Sequence, residues 1–369
     1  MNVNIYIPQE SANVFRYHLN KLTNRLFNEW TFYNDIESFK NSNRDTQRVV
    51  CFQIPYPWNP KFEKQIDDIY DHADHILILG SELHAPIVNF IERYDKEKIA
   101  YFLCGNVRGP IRYAKTYKFL DWFTTTVHFY KHVNPSILYN LRPFDPKPLM
   151  FDALLGRKKP HRDLAHRFIQ DNNLIDQSVT TYINAHEFKH DNNPATWQWE
   201  SMGVENFEES SKKIEFTVDR VVYNGYNMSV SQIIPLDIYN QTAYSLIAET
   251  NCENSHVFFT EKTIKPILAR RLFITLSNRF SLAALRRLGF KTFDGIIDES
   301  YDSILDSNER HIAALEQLAW LCKQDQAEIL ARAKPIIEHN FNLMYGSDWY
   351  NLFHIDFGNY FFENPYRAL

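Results

Sequence analysis

The sequence predicts an α/β protein with two doubly wound, mostly parallel sheets in series. Three observations carry this. In the first hundred residues, short apolar runs at 3–7, 49–54, 75–79 and 99–103 alternate with helix-like stretches. A proline-rich run at 141–150, LRPFDPKPLM, interrupts that alternation. The alternation then resumes, most clearly at 245–276, where SLIAETNCENSHVFFTEKTIKPILARRLFITL reads as strand, polar loop, helix, strand. Parallel strands must be joined by a crossover, usually a helix, so alternation at this spacing points to parallel sheets.

The elements follow in order. Helix-like stretches at 11–28, 60–72 and 84–94 separate the first four strands. LILGSELHAP and YFLCGNVRGP read as exits from strands into loops, the place where ligands bind in open parallel sheets. The proline-rich run cannot continue a helix and marks a crossing between domains. After it, 151–155 is a short strand and GRKKPHR at 156–162 a basic turn. An amphipathic helix over 163–171 carries Leu164, Phe168 and Ile169 on one face. SVTTYIN is a further strand, 190–212 a polar loop bearing tryptophans, and helices are expected at 308–323 and 325–338. The division expected is 1–145, 146–340, and a C-terminal segment 341–369 packing back on the first domain.

Composition narrows the class. The chain has 369 residues, 44% of them hydrophobic and 23% charged, with a net charge of −5. That is a globular composition, and the negative balance argues against nonspecific nucleic-acid binding. Cys51, Cys104, Cys252 and Cys322 are widely spaced and form no CxxC pair, so they read as reduced thiols rather than a disulfide frame or zinc site. MNVNIYIPQE lacks the charge and apolar core of a secretory signal, and no apolar run reaches eighteen residues. A cytoplasmic protein without a membrane span is expected.

The most informative chemistry lies at 245–276. Thr260 is placed to cap a helix that opens on Glu261 and Lys262. A helix N-terminus with a lysine beside it suits phosphate. Arg157 and Lys158 sit on the other basic strand-to-helix turn, which lies at the same edge of such a sheet. Arginine suits bidentate phosphate contact, and lysine adds a mobile point charge. Glu253 and Glu261 are candidates for sugar or ribose hydroxyls, because a carboxylate can accept two of them. No convincing DxD triplet ends a strand; DHAD at 71–74 and DES at 298–300 come nearest. Asp294, Asp298, Glu299 and Asp302 lack a histidine among them, and Asp298 reads better as a cap than as a metal ligand.

The TEK helix and its upstream loop resemble the nucleotide-sugar site of GT-B glycosyltransferases, and among these the α1,3-fucosyltransferases. The segment GFKTFDGIIDESYD at 289–302 is similar to one found in glycosyltransferase-like proteins of phages and marine bacteria. The resemblance implies a GT-B-like fold, with two Rossmann-like domains facing across a cleft. It implies a GDP- or UDP-linked sugar as co-substrate, no other cofactor and no metal. It places the diphosphate on Arg157 and Lys262. Glu253 and Glu261, with seven residues between them, also match the E-x7-E spacing of retaining GT-B enzymes. The chain departs from the family where a glycine often precedes the last strand: here Ala269-Arg270-Arg271-Leu272 stand. An inverting enzyme would need a base from the first domain, and Glu82 or His84 in GSELHAP qualifies by position, ahead of Asp121 and His128. The acceptor implied is a glycan or other hydroxyl compound. Two alternatives remain at this point: a hydroxymethylated base flipped out of DNA, and a non-catalytic binding protein that kept the fold.

Overall fold

A computed structural model describes residues 2–8, 29–54, 59–80, 85–105, 116–119, 121–157, 159–183, 220–223, 226–229, 233–250, 252 and 256–349. The chain divides into two compact units, Met1–Asp121 with Asp348–Leu369, and Trp122–Ser347. The change of unit at 121/122 lies ahead of the proline-rich run at 141–150.

The first unit is built on one six-stranded parallel sheet. Its strands are β1 (Asn2–Tyr6), β2 (Glu29–Tyr33), β3 (Gln47–Gln53), β4 (His75–Gly80), β5 (Ile99–Cys104) and β6 (Thr116–Phe119), in the order β2-β1-β3-β4-β5-β6. Helices α1 (Ile36–Lys40), α2 (Lys61–Tyr70) and α3 (Ala85–Arg93) lie between the strands in sequence. The strand order reverses between β1 and β3. Every residue of β4 is buried, as expected for a strand covered on both faces. Phe62, Ile66 and Ile69 of α2 and Ile87, Phe90 and Ile91 of α3 close the core over Val50, Phe52, Ile76, Ile78 and Tyr101. The edge strands β2 and β6 escape the sequence reading, because EWTFY and TYKF are short and only partly apolar.

The second unit opens with α4 (Asp121–His128), which runs into one π-helical turn at Phe129–Val133 and is followed by α5 (Ser136–Tyr139). Its sheet holds β7 (Leu149–Arg157), β8 (Ser178–Ile183), β11 (Thr242–Ala248) and β12 (Leu272–Leu276), all parallel, in the order β12-β11-β7-β8. β9 (Arg220–Tyr223) and β10 (Tyr226–Ser229) form a separate antiparallel pair. The helices are α6 (Pro160–Asp171), α7 (Leu236–Gln241), α8 (Glu261–Leu268), α9 (Ser281–Arg287), α10 (Ser307–Leu321) and α11 (Gln326–Gly346). From β7 the chain steps outward to β8, then returns past β7 to β11 and β12. Right-handed crossovers therefore place α6 and α8 on opposite faces. In keeping with this, α6 packs with α10, and α8 with α11. All of β11 and β12 is buried. Both units are thus Rossmann-like α/β layers, the fold class expected. No helix among the described residues is long and apolar enough to cross a membrane.

A buried ion pair ties this second sheet together at its amino-terminal side. Arg271 Nη2 donates to Asp152 Oδ1 at 2.6 Å, and both side chains are almost fully buried. The guanidinium also donates to the carbonyls of Tyr239, Thr242 and Tyr244 and to the hydroxyls of Thr242 and Ser245. Burial pushes the Asp152 carboxyl up from its ordinary range, against the pull of Arg271. One position earlier stands Arg270, in the segment Ala269-Arg270-Arg271-Leu272. Its φ is 54°, in the left-handed region that costs a non-glycine residue roughly 1–2 kcal/mol. The strain is offset by an ion pair to Glu338 at 3.5 Å and by stacking of the guanidinium on Phe341 at 3.6 Å.

The acidic segment after β12 is structural. Asp302 accepts the N–H groups of Leu282 and Ala283, both at 3.0 Å, and so caps α9. Glu299 accepts from Phe293 N–H at 2.7 Å and pairs with Arg286 at 3.0 Å. Asp298 accepts from Ser300 N–H at 2.9 Å.

Candidate functional site

In an open parallel sheet, ligands bind beyond the carboxyl ends of the strands where the strand order reverses. In the second unit that point lies between β7 and β11, so its walls are the turn from β7 into α6 and the loop from β11 into α8. The first turn needs Gly156, whose φ is +60°; a Cβ there would meet Arg162 Nη1 at 3.4 Å. Pro160 at the first helical position starts α6, behind an extended Lys159, and no side chain caps this helix. Lys159, His161 and Arg162 are thereby gathered at an N-terminus that no side chain caps.

The second wall is organised by Glu249, the residue after β11, which is fully buried. Its Oε1 accepts from Thr260 N–H at 3.1 Å and Thr263 Oγ1 at 2.5 Å; its Oε2 accepts from Thr260 Oγ1 at 2.7 Å and Thr250 N–H at 3.3 Å. Its backbone carbonyl accepts from His161 Nε2 at 2.9 Å. Thr260 caps α8 as expected, accepting Lys262 N–H at 3.3 Å. The first turn of this helix is thus tied to the protein's own Glu249 side chain. A Glu249→Gln variant sets an amide donor against these donors. It is expected to lose about 1–3 kcal/mol, the cost of leaving a buried partner unmade. A denaturant midpoint equal to the parent's would refute this assignment.

Two ammonium groups meet at Thr250. Lys159 Nζ donates to its carbonyl at 2.5 Å, and Lys262 Nζ to its hydroxyl at 3.2 Å. Lys262 Nζ also reaches Thr260 Oγ1 at 3.4 Å and pairs with Glu261 Oε1 at 2.6 Å, while its side chain stays a quarter exposed. Glu261 is buried. Burial opposes its charge, but Lys262 and Lys265 outweigh that and hold its carboxyl below the usual range. Burial pushes Lys265 down to about 8.

Behind the lysines lies a buried polar layer. His161 of α6 and His311 of α10 are buried with ring centroids 5.8 Å apart. His311 Nε2 meets the Ser277 carbonyl at 3.2 Å, and Arg310 Nε donates to that same carbonyl at 3.1 Å. Arg162 Nη2 donates to Ala248 O at 3.3 Å, at the end of β11. Burial pushes His161 down to about 3 and His311 to about 4. Both are neutral in the folded chain, whereas an unfolded chain protonates each below about pH 6.5. Their contribution to stability is complete above that pH and shrinks as pH falls towards the folded values, by up to about 1.4 kcal/mol per unit for each histidine. Urea midpoints measured between pH 7.5 and 5 should therefore decline below 6.5. A flat profile would contradict this environment.

Of the residues singled out in the sequence, Thr260, Glu261 and Lys262 sit together on this edge. Arg157 is the last residue of β7, at the same edge. Lys158, Glu253, Glu82 and His84 lie outside the described residues. Lys159, His161, Arg162, Glu249 and His311 were not singled out individually. A readable signal for Glu249 was present: an acidic residue directly after the apolar run LIA, with threonines at 250, 260 and 263.

No family model matches the chain, and no curated protein matches it. A solved structure similar to it is that of the DNA-modifying enzyme β-glucosyltransferase, determined in the presence and absence of its substrate uridine diphosphoglucose. The likeness has a TM-score of 0.42 at 13% identity, covering 96% of this chain and 99% of that one. At that level it bears on neither activity nor individual residues.

Proposed function

We propose that the protein is a glycosyltransferase that takes its sugar from a GDP- or UDP-linked donor without a metal ion. The observation that carries this reading is the meeting of Lys159 and Lys262 at Thr250, on two strand-to-helix turns flanking the point where the strand order reverses. When the anomeric C–O bond to the diphosphate breaks, negative charge builds on the leaving group. Fixed cations in a site that excludes water stabilise that charge without a metal. In this reading Lys159 and Lys262 turn from Thr250 and Glu261 to the diphosphate, with Arg157 and Lys158 beside them. Glu253 and Glu261 serve donor hydroxyls. The acceptor oxygen forms the new bond to the sugar, and its proton passes to a base. For an inverting enzyme that base is Glu82, or His84 in its place. The acceptor is a glycan or another hydroxyl compound.

A thermal-shift and donor-hydrolysis panel of UDP-, GDP- and CMP-sugars, with and without EDTA, tests the reading. Stabilisation by one donor class, and turnover that survives EDTA, is the expected result. No shift with any donor would leave a non-catalytic protein of this fold. Activity abolished by EDTA and restored by Mn²⁺ would overturn the metal-free mechanism. Glycans and hydroxymethylated DNA offered as competing acceptors separate the glycan reading from the DNA alternative.

A further inference from the structure

We propose that His128 and His132 form a two-imidazole site for a borderline divalent cation of the zinc, nickel or copper class. His128 is the last residue of α4, and His132 lies in the π turn that follows, closed by Asn134 N–H to Phe129 O at 2.9 Å. Residues four apart on a helix face the same way. Single π turns inserted in α-helices recur at functional sites.

The geometry suits chelation. The two ring centroids are 4.9 Å apart, with the planes tilted by 46°. Two imidazoles bound to one ion at about 2.0–2.1 Å, with a cis or tetrahedral angle between them, place their ring centres about 4.5–5.2 Å apart. The spacing of the ring centres is that of a chelating pair. His132 is exposed and His128 half-buried, so an ion can reach the pair from solvent. The neighbouring cation is engaged elsewhere: Lys131 Nζ donates to Tyr345 O at 3.1 Å and lies over the Tyr345 ring.

Ligand chemistry sets the class of ion. Neutral imidazole suits zinc, nickel and copper, whereas magnesium and calcium require oxygen ligands. Among the described residues no third histidine, cysteine or carboxylate joins the pair. Water completes the shell, and the site is open to an outside ligand. Its placement gives it reach: Phe123, at the start of α4, packs against Phe259, which precedes the Thr260 cap, at 6.2 Å between centroids. An ion clamping the far end of this helix stiffens an element that touches the base of the α8 loop.

Calorimetric titration of the metal-stripped full chain with Ni²⁺ and Zn²⁺ at neutral pH tests the site. One equivalent should bind in the parent and weaken about tenfold or more in His132→Gln and His128→Gln, since losing even an outer-shell partner costs 10–100-fold. Zinc should raise the melting temperature of the parent and leave that of His132→Gln unchanged. His339→Gln, at a half-buried histidine on α11, should bind as the parent does. Should His128→Gln fold poorly, the exposed His132→Gln still decides the matter. The proposal is overturned if the parent binds no equivalent, or if His132→Gln binds as tightly as the parent.

Discussion

A Lys159→Ala, Lys262→Ala double variant is expected to bind nucleoside diphosphate about 10²–10⁴ times more weakly than the parent. Each ammonium–phosphate contact is charge-assisted and contributes on the order of 1.5–3 kcal/mol, and about 1.4 kcal/mol is tenfold in affinity. The two lysines share Thr250 as a partner, so their effects should couple rather than add. A double-mutant cycle on the dissociation constant measures that coupling. Some stability is lost as well, because Lys262 pairs with the buried Glu261. A denaturant midpoint measured beside the dissociation constant separates the two effects, and weaker binding by the still-folded variant is the expected pattern. A double variant that binds nucleotide as the parent does would remove the diphosphate from this edge of the sheet.

The second large effect concerns stability. Arg271→Met is expected to cost about 3–5 kcal/mol, because it leaves the Asp152 carboxylate buried without its cation. The loss has a characteristic pH dependence. Without Arg271 the Asp152 carboxyl is easier to keep protonated, so its folded value rises further above that of the unfolded chain. A carboxyl raised on folding favours the folded state at low pH and loses that benefit as pH climbs. The variant should therefore be closest to the parent in mild acid and furthest from it at neutral pH. Pairing the change with Asp152→Asn, which removes the stranded charge, should recover part of the loss. Chemical denaturation of the variants at pH 5 and pH 7.5 supplies the comparison. Equal midpoints for Arg271→Met and the parent would show that the pair contributes nothing net.

Much of the fold was legible because parallel strands covered on both faces are apolar along most of their length. HILILG, SLIA and LFITL announce themselves in this way, and each lies within β4, β11 or β12. The edge strands β2 and β6 did not, since an edge strand needs less apolar surface. Chemical type was legible in the same measure. A basic turn after one strand and TEK after another were visible as residues suited to phosphate, and the structure sets both on one sheet edge. Which lysine of the basic turn reaches the loop after β11 was not readable. Arg157 and Lys159 differ by two positions in the string, and the turn at Gly156 with the start of α6 at Pro160 directs Lys159 to Thr250.

By itself, then, the sequence determined the α/β class, the alternation of elements and the two cationic turns, because burial patterns and residue chemistry are properties of short segments. The tertiary structure alone decided the partners. Glu249 meets Thr260 and Thr263 across a loop, and Arg271 meets Asp152 across 119 positions. His161 meets His311 from another helix, and Arg270 takes a left-handed backbone that suits glycine. Each of these contacts depends on which strand lies beside which. That order follows from burying the whole set of apolar faces at once, and no local segment encodes it.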